Sequence, residues 1–361
     1  LHPARARACS ACLSFWPDFL SILFSQDKAE KGVRQVSIID FHNHFYPPEY
    51  LEEIQSGPSN IKVTFDSDGN PLVHYPGDYN ILVPGHRDIA HRADVLRRAG
   101  VDKQILSFTT PGTHVESPER AVELARLVND ALADIVRERG DRFASLATLP
   151  MNAPDAAAAE MERAFDELGF RGVMVFSNIN GVALSNACFW PLYEQVNRRK
   201  GVIYIHPSSP VGVEAMTDYW LTPLVGFTFD TTLAAAKLVF SGVIEKFPEI
   251  TWVLCHLGGA IPYLAERLDR GYFAFKECRE KIGKPPSEYL KQFYYDTVNF
   301  DPAALRLAIE FAGADHLVAG SDYPHQIGSL KQMVASIENL EVSDEEKSAI
   351  RSKNAARLLG L

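Results

Sequence analysis

The sequence lacks most of the features that would place it outside the ordinary globular enzymes. Cysteine is scarce: Cys9, Cys12, Cys188, Cys255 and Cys278. Their odd number and irregular spacing argue against a disulfide framework. Cys9-x-x-Cys12 has no second pair and no strand before it, so it does not read as a redox or zinc motif. No run of 18 uninterrupted apolar residues occurs, so no membrane span is expected, and a cytoplasmic location is. Basic residues are in the minority, 36 Lys+Arg against 46 Asp+Glu, for a net charge of −10. A general nucleic-acid binder needs a basic face and is excluded. Repeats and low-complexity tracts are absent. No Gly-x-Gly-x-x-Gly follows the first strand, so a dinucleotide-binding fold has no support.

What is present is an ordinary core-forming composition, 46% apolar and 23% charged over 361 residues. That length suits two average domains or one large α/β barrel. Residues 1–35 imitate a signal peptide, with Arg5 and Arg7 before an apolar run. Pro17 and Asp18 break that run and no clean cleavage site follows. They read as an extension outside the fold, with a peripheral helix as the second reading, and the folded domain is expected over 36–361.

The first strand ends in Ile38-Ile39-Asp40-Phe41-His42-Asn43-His44. Side chains alternate along a strand, so His42 and His44 project together from its C-terminal end. Phe45-Tyr46-Pro47-Pro48 reads as a stop, and nothing from 49 to 87 reads as helix. Ile61–Phe65 and Pro71–Tyr75 flank Asp66-Ser67-Asp68-Gly69-Asn70, a hairpin signal. From Asp88 onward strands and helices alternate: strands at 103–108, 143–149, 172–176, 202–206, 251–256, 293–297 and 317–322, each followed by a helix. Among these helices are 117–139, 228–247 and 261–278, and two close the chain, at 328–339 and 344–359. Eight βα units of continuous apolar strands predict an α/β (β/α)₈ TIM barrel with a small β-hairpin insertion after strand 1. An open doubly wound sheet is the alternative.

Chemistry in such a barrel sits at the C-terminal strand ends. Of the eleven histidines, four fall there: His42, His44, His206 and His256, with Asp322 at the end of strand eight. Three imidazoles and a carboxylate suit one divalent metal, Zn²⁺ first, with Mn²⁺, Fe²⁺ or Co²⁺ as alternatives. Strand four ends Val175-Phe176-Ser177-Asn178, with no lysine or glutamate to bridge a second ion. The expected ligands are His42, His44, His206 and Asp322. His256 is then free as general acid or base; the alternative makes it a ligand. No organic cofactor is expected.

These residues carry a resemblance. From about residue 36 to the C-terminus the chain resembles the amidohydrolase superfamily, in the branch of aminocarboxymuconate-semialdehyde decarboxylase. The stretches that carry it include Ile39–His44, Leu146–Met151, Leu168–Val173, Phe189–Tyr193, His206-Pro207, Tyr219–Leu221, Gly242–Pro248, His256–Gly259 and Gly320–Pro324. The branch contains decarboxylases of muconate semialdehyde and of hydroxybenzoates, with hydratases and hydrolases. The resemblance implies that His42, His44, His206 and Asp322 bind zinc and that His256 is the catalytic acid/base. It also implies that Arg267, on the helix after His256, holds a substrate carboxylate across a homodimer interface; Arg270 is the other candidate. The chain departs from the family in three places. The family's arginine after the Asp-Gly turn is missing from Asp68–Tyr75. His325 stands where the family has an aromatic residue after Asp-Tyr-Pro. Ser208 stands where it has tryptophan after His-Pro. His74 and His325 join Arg267 as candidate substrate contacts, and Tyr79, His86 and Arg87 are further polar candidates.

Two chemistries fit the constellation. In the first, a small-molecule carboxylate, aromatic or unsaturated, loses CO₂ as His256 or Asp322 moves a proton. In the second, a metal-activated water opens a lactone, amide or ester, or hydrates the substrate. A non-enzymatic metal-binding scaffold is the third class.

Overall fold

The structure, a computed structural model, describes residues 37–361; the expected extension at 1–35, with Cys9 and Cys12, lies outside the described residues. In chain order the strands are β1 (Ile39–Asp40), β2 (Val63–Phe65), β3 (Pro71–Tyr75), β4 (Asp78–Ile81), β5 (Lys103–Leu106), β6 (Phe143–Ser145), β7 (Ala147–Thr148), β8 (Gly172–Phe176), β9 (Asn178–Ile179), β10 (Val182–Ala183), β11 (Val202–His206), β12 (Thr251–Leu254), β13 (Tyr294–Asp296) and β14 (Leu317–Val318). The helices used below are α1 (Pro48–Ser56), α2 (Pro84–Arg87), α3 (Ile89–Ala99), α4 (Pro118–Arg139), α5 (Pro154–Asp166), α6 (Trp190–Arg198), α7 (Phe227–Phe240), α8 (Val243–Lys246) and α9 (Ile261–Ala274).

The architecture is α/β. One parallel sheet runs β14-β13-β12-β11-β8-β7 and a second runs β1-β5-β6. All five residues of β8, Gly-Val-Met-Val-Phe, and of β11, Val-Ile-Tyr-Ile-His, are buried, as strands covered on both faces must be. Only Leu146 separates β6 from β7, and its N–H donates to Leu106 O at 3.0 Å, as in a regular ladder. At the other edge the Phe41 N–H donates to Ala319 O at 2.7 Å and Asn43 bridges Tyr323 in parallel. Helices are set by their ends. Ser117 caps α4 by accepting from the Arg120 N–H, and Asp88 caps α3, which Gly100 closes in the left-handed conformation.

Two local expectations are corrected and a third is extended. Residues 48–56 form a helix, not a stop. Proline is tolerated in a first helical turn, where its missing N–H has no partner to lose, and Tyr50, Leu51 and Ile54 bury one face of α1. The Asp-Gly region pairs β2 with β3, Val63 opposite Val73, and a third antiparallel strand, β4, follows. The helix expected over 228–247 divides into α7 and α8 at Gly242, whose φ of 79° no helix continues.

One helical stretch, Thr222–Phe240, is long and apolar enough to cross a bilayer, but half of it is buried inside the fold. Asp230 within it accepts from Ser177 Oγ and from Asn178 Nδ2 at 2.9 Å. A buried carboxylate tied to neighbouring loops marks a core helix.

Candidate active site

His42 and His44 follow β1, His206 ends β11, His256 follows β12 and Asp322 follows β14. Sequence-distant strand ends thus meet in one place. His44 Nε2 lies 3.0 Å from His42 Nε2 and 3.0 Å from Asp322 Oδ1, and His42 Nε2 lies 3.4 Å from the same oxygen. One nitrogen each from His42, His44 and His206 can be chosen within 4.8 Å of one another. Donors about 2.1 Å from a tetrahedral ion stand roughly 3.4 Å apart, so the spacing fits one divalent cation. All four residues are buried.

Tautomers are dictated by the partners. His206 Nδ1 faces the Pro207 carbonyl at 2.8 Å, which can only accept, so Nε2 keeps a lone pair for the cluster. His42 Nδ1 donates to Asp296 Oδ2 at 2.6 Å. Asp296 is held in turn by the Tyr204 hydroxyl (3.0 Å) and the N–H groups of Leu257 (3.2 Å) and Val298 (2.9 Å). Carboxylates behind a ligating histidine orient the ring and strengthen its donor. Asp296 was not among the residues singled out from the sequence, although it ends a parallel strand as His206 does.

The electrostatics follow from burial and charge. Burial alone would lower the His42 pKa, but the Asp296 carboxylate beside it, with Asp322, pushes it up to about 10. Burial and the neighbouring imidazoles hold His44 and His206 well below the usual histidine range. Asp322 is held well below the carboxylate range in spite of burial by the His42 and His44 imidazoles beside it. Burial and the nearby His42 charge bring His256 down to about 4. Its Nε2 lies 4.0 Å from Asp322 Oδ2, and its Nδ1 has no partner among the described residues.

The backbone around these groups is unusual. His256 and Asp322 have φ of 49° and 57°, a region where polar residues are the commoner exceptions and where strain gathers at functional sites. Gly259, φ 61°, has no room for a side chain: a Cβ there would lie 2.1 Å from Thr228 O.

Behind the His-x-His segment sits Arg92 of α3, fully buried. It donates to Gly85 O (2.9 Å), Asn43 Oδ1 (2.7 Å), Gln104 Oε1 (2.9 Å) and the His44 carbonyl, and stacks on Phe45 and Tyr323. Burial lowers its pKa to about 10, so it stays charged at neutral pH. Arg92→Met would leave these acceptors unpaired, at a cost of about 3–5 kcal/mol. A fall of roughly 6 °C or more in Tm is expected by calorimetry; a fall under about 2 °C would show that Arg92 does not hold the segment.

The cluster opens on a cavity of about 320 Å³, whose walls include His206, His256, Asp322 and His325 beside Tyr79, Trp220 and Phe227. His325 packs against His44 with ring centroids 4.6 Å apart and the rings tilted by 43°, and His86 lies behind it, Nε2 3.4 Å from His325 Nδ1. His74 is not on this wall: its Nε2 meets Thr64 Oγ1 at 2.7 Å across the β2–β3 pair. Arg87 is spent on the Leu82 carbonyl at 3.1 Å. Arg267 is exposed on α9 and does not line the cavity of its own chain, and Arg270 is exposed with Glu266.

A buried cluster of imidazoles and a carboxylate at the ends of parallel strands, in which His42, His44 and His206 form one group of possible metal ligands and His42, His256 and Asp322 another, defines a metal-site enzyme of the β/α class. The chain belongs to the amidohydrolase family, whose model matches residues 39–361, in its aminocarboxymuconate-semialdehyde decarboxylase-like branch. It is 33% identical over 275 residues to 2-amino-3-carboxymuconate-6-semialdehyde decarboxylase of Dictyostelium discoideum, covering 75% of this chain and 76% of that one. Among solved structures it is similar to 5-carboxyvanillate decarboxylase from Sphingomonas paucimobilis, with a TM-score of 0.79, 26% identity and coverage of 90% and 99%. A second is dihydroxybenzoic acid decarboxylase from Polaromonas sp. JS666, with bound manganese and 2-nitroresorcinol: TM-score 0.76, 27% identity, coverage 89% and 96%.

Proposed function

We propose that the protein is a metal-dependent decarboxylase of an aromatic or unsaturated carboxylic acid. The observation that carries this reading is the cluster of His42, His44, His206, His256 and Asp322 at the strand ends, opening on a largely apolar cavity. The named activities of its relatives favour decarboxylation over hydrolysis or hydration of the same metal-site type. His42, His44, His206 and Asp322 hold one divalent ion, Zn²⁺ or Mn²⁺; the absence of lysine or glutamate from the end of β8 supports a single ion. When bound, that ion supplies Lewis-acid polarisation to the substrate's carboxylate or adjacent hydroxyl.

The protein's own groups do the rest. Asp296 fixes the His42 ring. The apolar walls exclude water, which strengthens every charge interaction inside. His256 or Asp322 relays a proton, taken from the substrate hydroxyl or solvent, to the carbon that bears the carboxylate, and a π pair of the ring or double bond forms the new C–H bond. The C–C bond then breaks, its electron pair restores that π system, and CO₂ leaves.

We also read the strands as a closed eight-stranded barrel carrying the β2–β4 sheet as an insertion after the first strand. The links from Leu146 to Leu106 and from Phe41 to Ala319 support that closure. A homodimer is part of the same proposal, supported by exposed Tyr263 and Phe273 flanking exposed Arg267 on α9. The test of function is a panel of hydroxybenzoates, unsaturated acids and lactones, with CO₂ and newly formed acid assayed separately. One CO₂ per substrate consumed is expected. New acid from lactones without CO₂ would replace the decarboxylase by a hydrolase.

A further inference from the structure

His256 is placed by its backbone. His42 and His206 have their rings fixed from behind, by the Asp296 carboxylate at 2.6 Å and the Pro207 carbonyl at 2.8 Å. The His256 ring has no such anchor. Its Nδ1 has no partner among the described residues, and its Nε2 stands 4.0 Å from Asp322 Oδ2, beyond a hydrogen bond. Where this imidazole sits therefore depends on the loop His256–Gly259, four successive residues at positive φ. Such backbone persists only where its surroundings hold it. Two pins do so. On one side the Leu257 N–H donates to Asp296 Oδ1 at 3.2 Å. On the other the Ala260 N–H donates to Thr232 Oγ1 at 2.8 Å, and the Thr232 hydroxyl donates to Thr228 O on its own helix, α7, at 2.7 Å. The loop is pressed against that turn: a Cβ at Gly259 would lie 2.6 Å from Thr232 Oγ1. Thr232 is buried and does not line the cavity.

We propose that Thr232 is a positioning residue for His256: through the Ala260 N–H it holds the loop that sets the imidazole beside the metal cluster. The proposal rests on the reading of His256 as the acid/base. A hydroxyl suits the task because it donates and accepts at once. Its proton goes to Thr228 O, and a lone pair receives the loop. With a methyl group in its place the Ala260 N–H loses its acceptor and the loop is freed at that end. Misplacing a reacting group by about 1 Å lowers a rate by up to roughly 100-fold. Metal binding is expected to stay, because among the described residues the Thr232 hydroxyl bonds to Ala260 and Thr228 and to none of the proposed ligands.

The test compares the metal-loaded wild type, Thr232→Val and Thr232→Ser on whichever compound of the panel above turns over. Thr232→Val is expected to lower kcat by about 10–100-fold, with KM and metal content within about twofold of wild type. Thr232→Ser keeps the hydroxyl and should hold kcat within roughly threefold of wild type. Hydrogen exchange over residues 255–262 should rise in the valine variant and not in the serine variant. A double-mutant cycle asks whether the effect runs through His256. In a His256→Asn background, Thr232→Val should change kcat by less than about threefold. An unchanged kcat in Thr232→Val, a serine variant no better than valine, a loss that falls on KM or metal content, or a full further loss in the His256→Asn background would each overturn the assignment. His256→Asn with wild-type kcat is a different outcome: it removes the acid/base reading itself, and the role of Thr232 with it. If Thr232→Val does not fold, Thr232→Ala removes the same hydroxyl and is read in its place.

Discussion

Replacing His256 by asparagine is expected to lower kcat by about 10³-fold while leaving one equivalent of metal in the protein. The size is that of a positioned general acid or base. The retention of metal follows from the proposed ligand set of His42, His44, His206 and Asp322. Short N···N and N···O contacts join His42, His44 and Asp322, while His256 Nε2 stands 4.0 Å from Asp322 Oδ2. Asparagine is the informative replacement because position 256 has φ 49°, which asparagine adopts more readily than most residues. A loss of activity in this variant is therefore chemical and not a collapse of the loop that Leu257, Gly258 and Gly259 continue at positive φ. Elemental analysis alongside kinetics decides the matter. Metal lost together with activity would make His256 a ligand, and a kcat within tenfold of wild type would take it out of the proton transfer.

Stripping the metal with a chelator is expected to reduce turnover to background, and adding back Zn²⁺ or Mn²⁺ to restore it with an endpoint of one ion per chain. Without an ion, buried imidazoles and a carboxylate face one another across 3.0–3.4 Å, and a bound cation is what offsets their desolvation. The holo protein should therefore also melt higher. At free metal a thousandfold above Kd the added stability is about 4 kcal/mol. Asp296→Asn should show a graded form of the same loss, with metal affinity lower by roughly 10–100-fold and turnover recovered at excess metal, because the variant loosens the His42 ring without removing a ligand. An endpoint of two ions, or turnover that survives complete metal removal, would sink the mononuclear site.

Much of this centre was legible in the linear sequence because strands have a period of two and barrel-type strands end abruptly. His42 and His44 are two residues apart at the end of an apolar run, and His206 and His256 close similar runs. Asp296 ends a strand too, but a lone aspartate after Tyr294-Tyr295 looks no different from a loop residue until it is seen 2.6 Å from His42. Arg92 looks like one of several arginines on a surface helix. Its burial depends on Asn43, Gln104 and Gly85 offering acceptors from three other parts of the chain. The helix at Pro48–Ser56 was hidden by two prolines that the first turn tolerates.

By itself, then, the sequence determined the clustering of histidines and an aspartate at strand ends and the family, because local periodicity and short motifs encode them. Which groups stand behind these side chains and what walls the cavity presents were decided only by the tertiary structure. The reason is physical: those are contacts between residues as far apart as 254 positions for His42 and Asp296, and their strength comes from burial, which no single stretch of chain can produce alone.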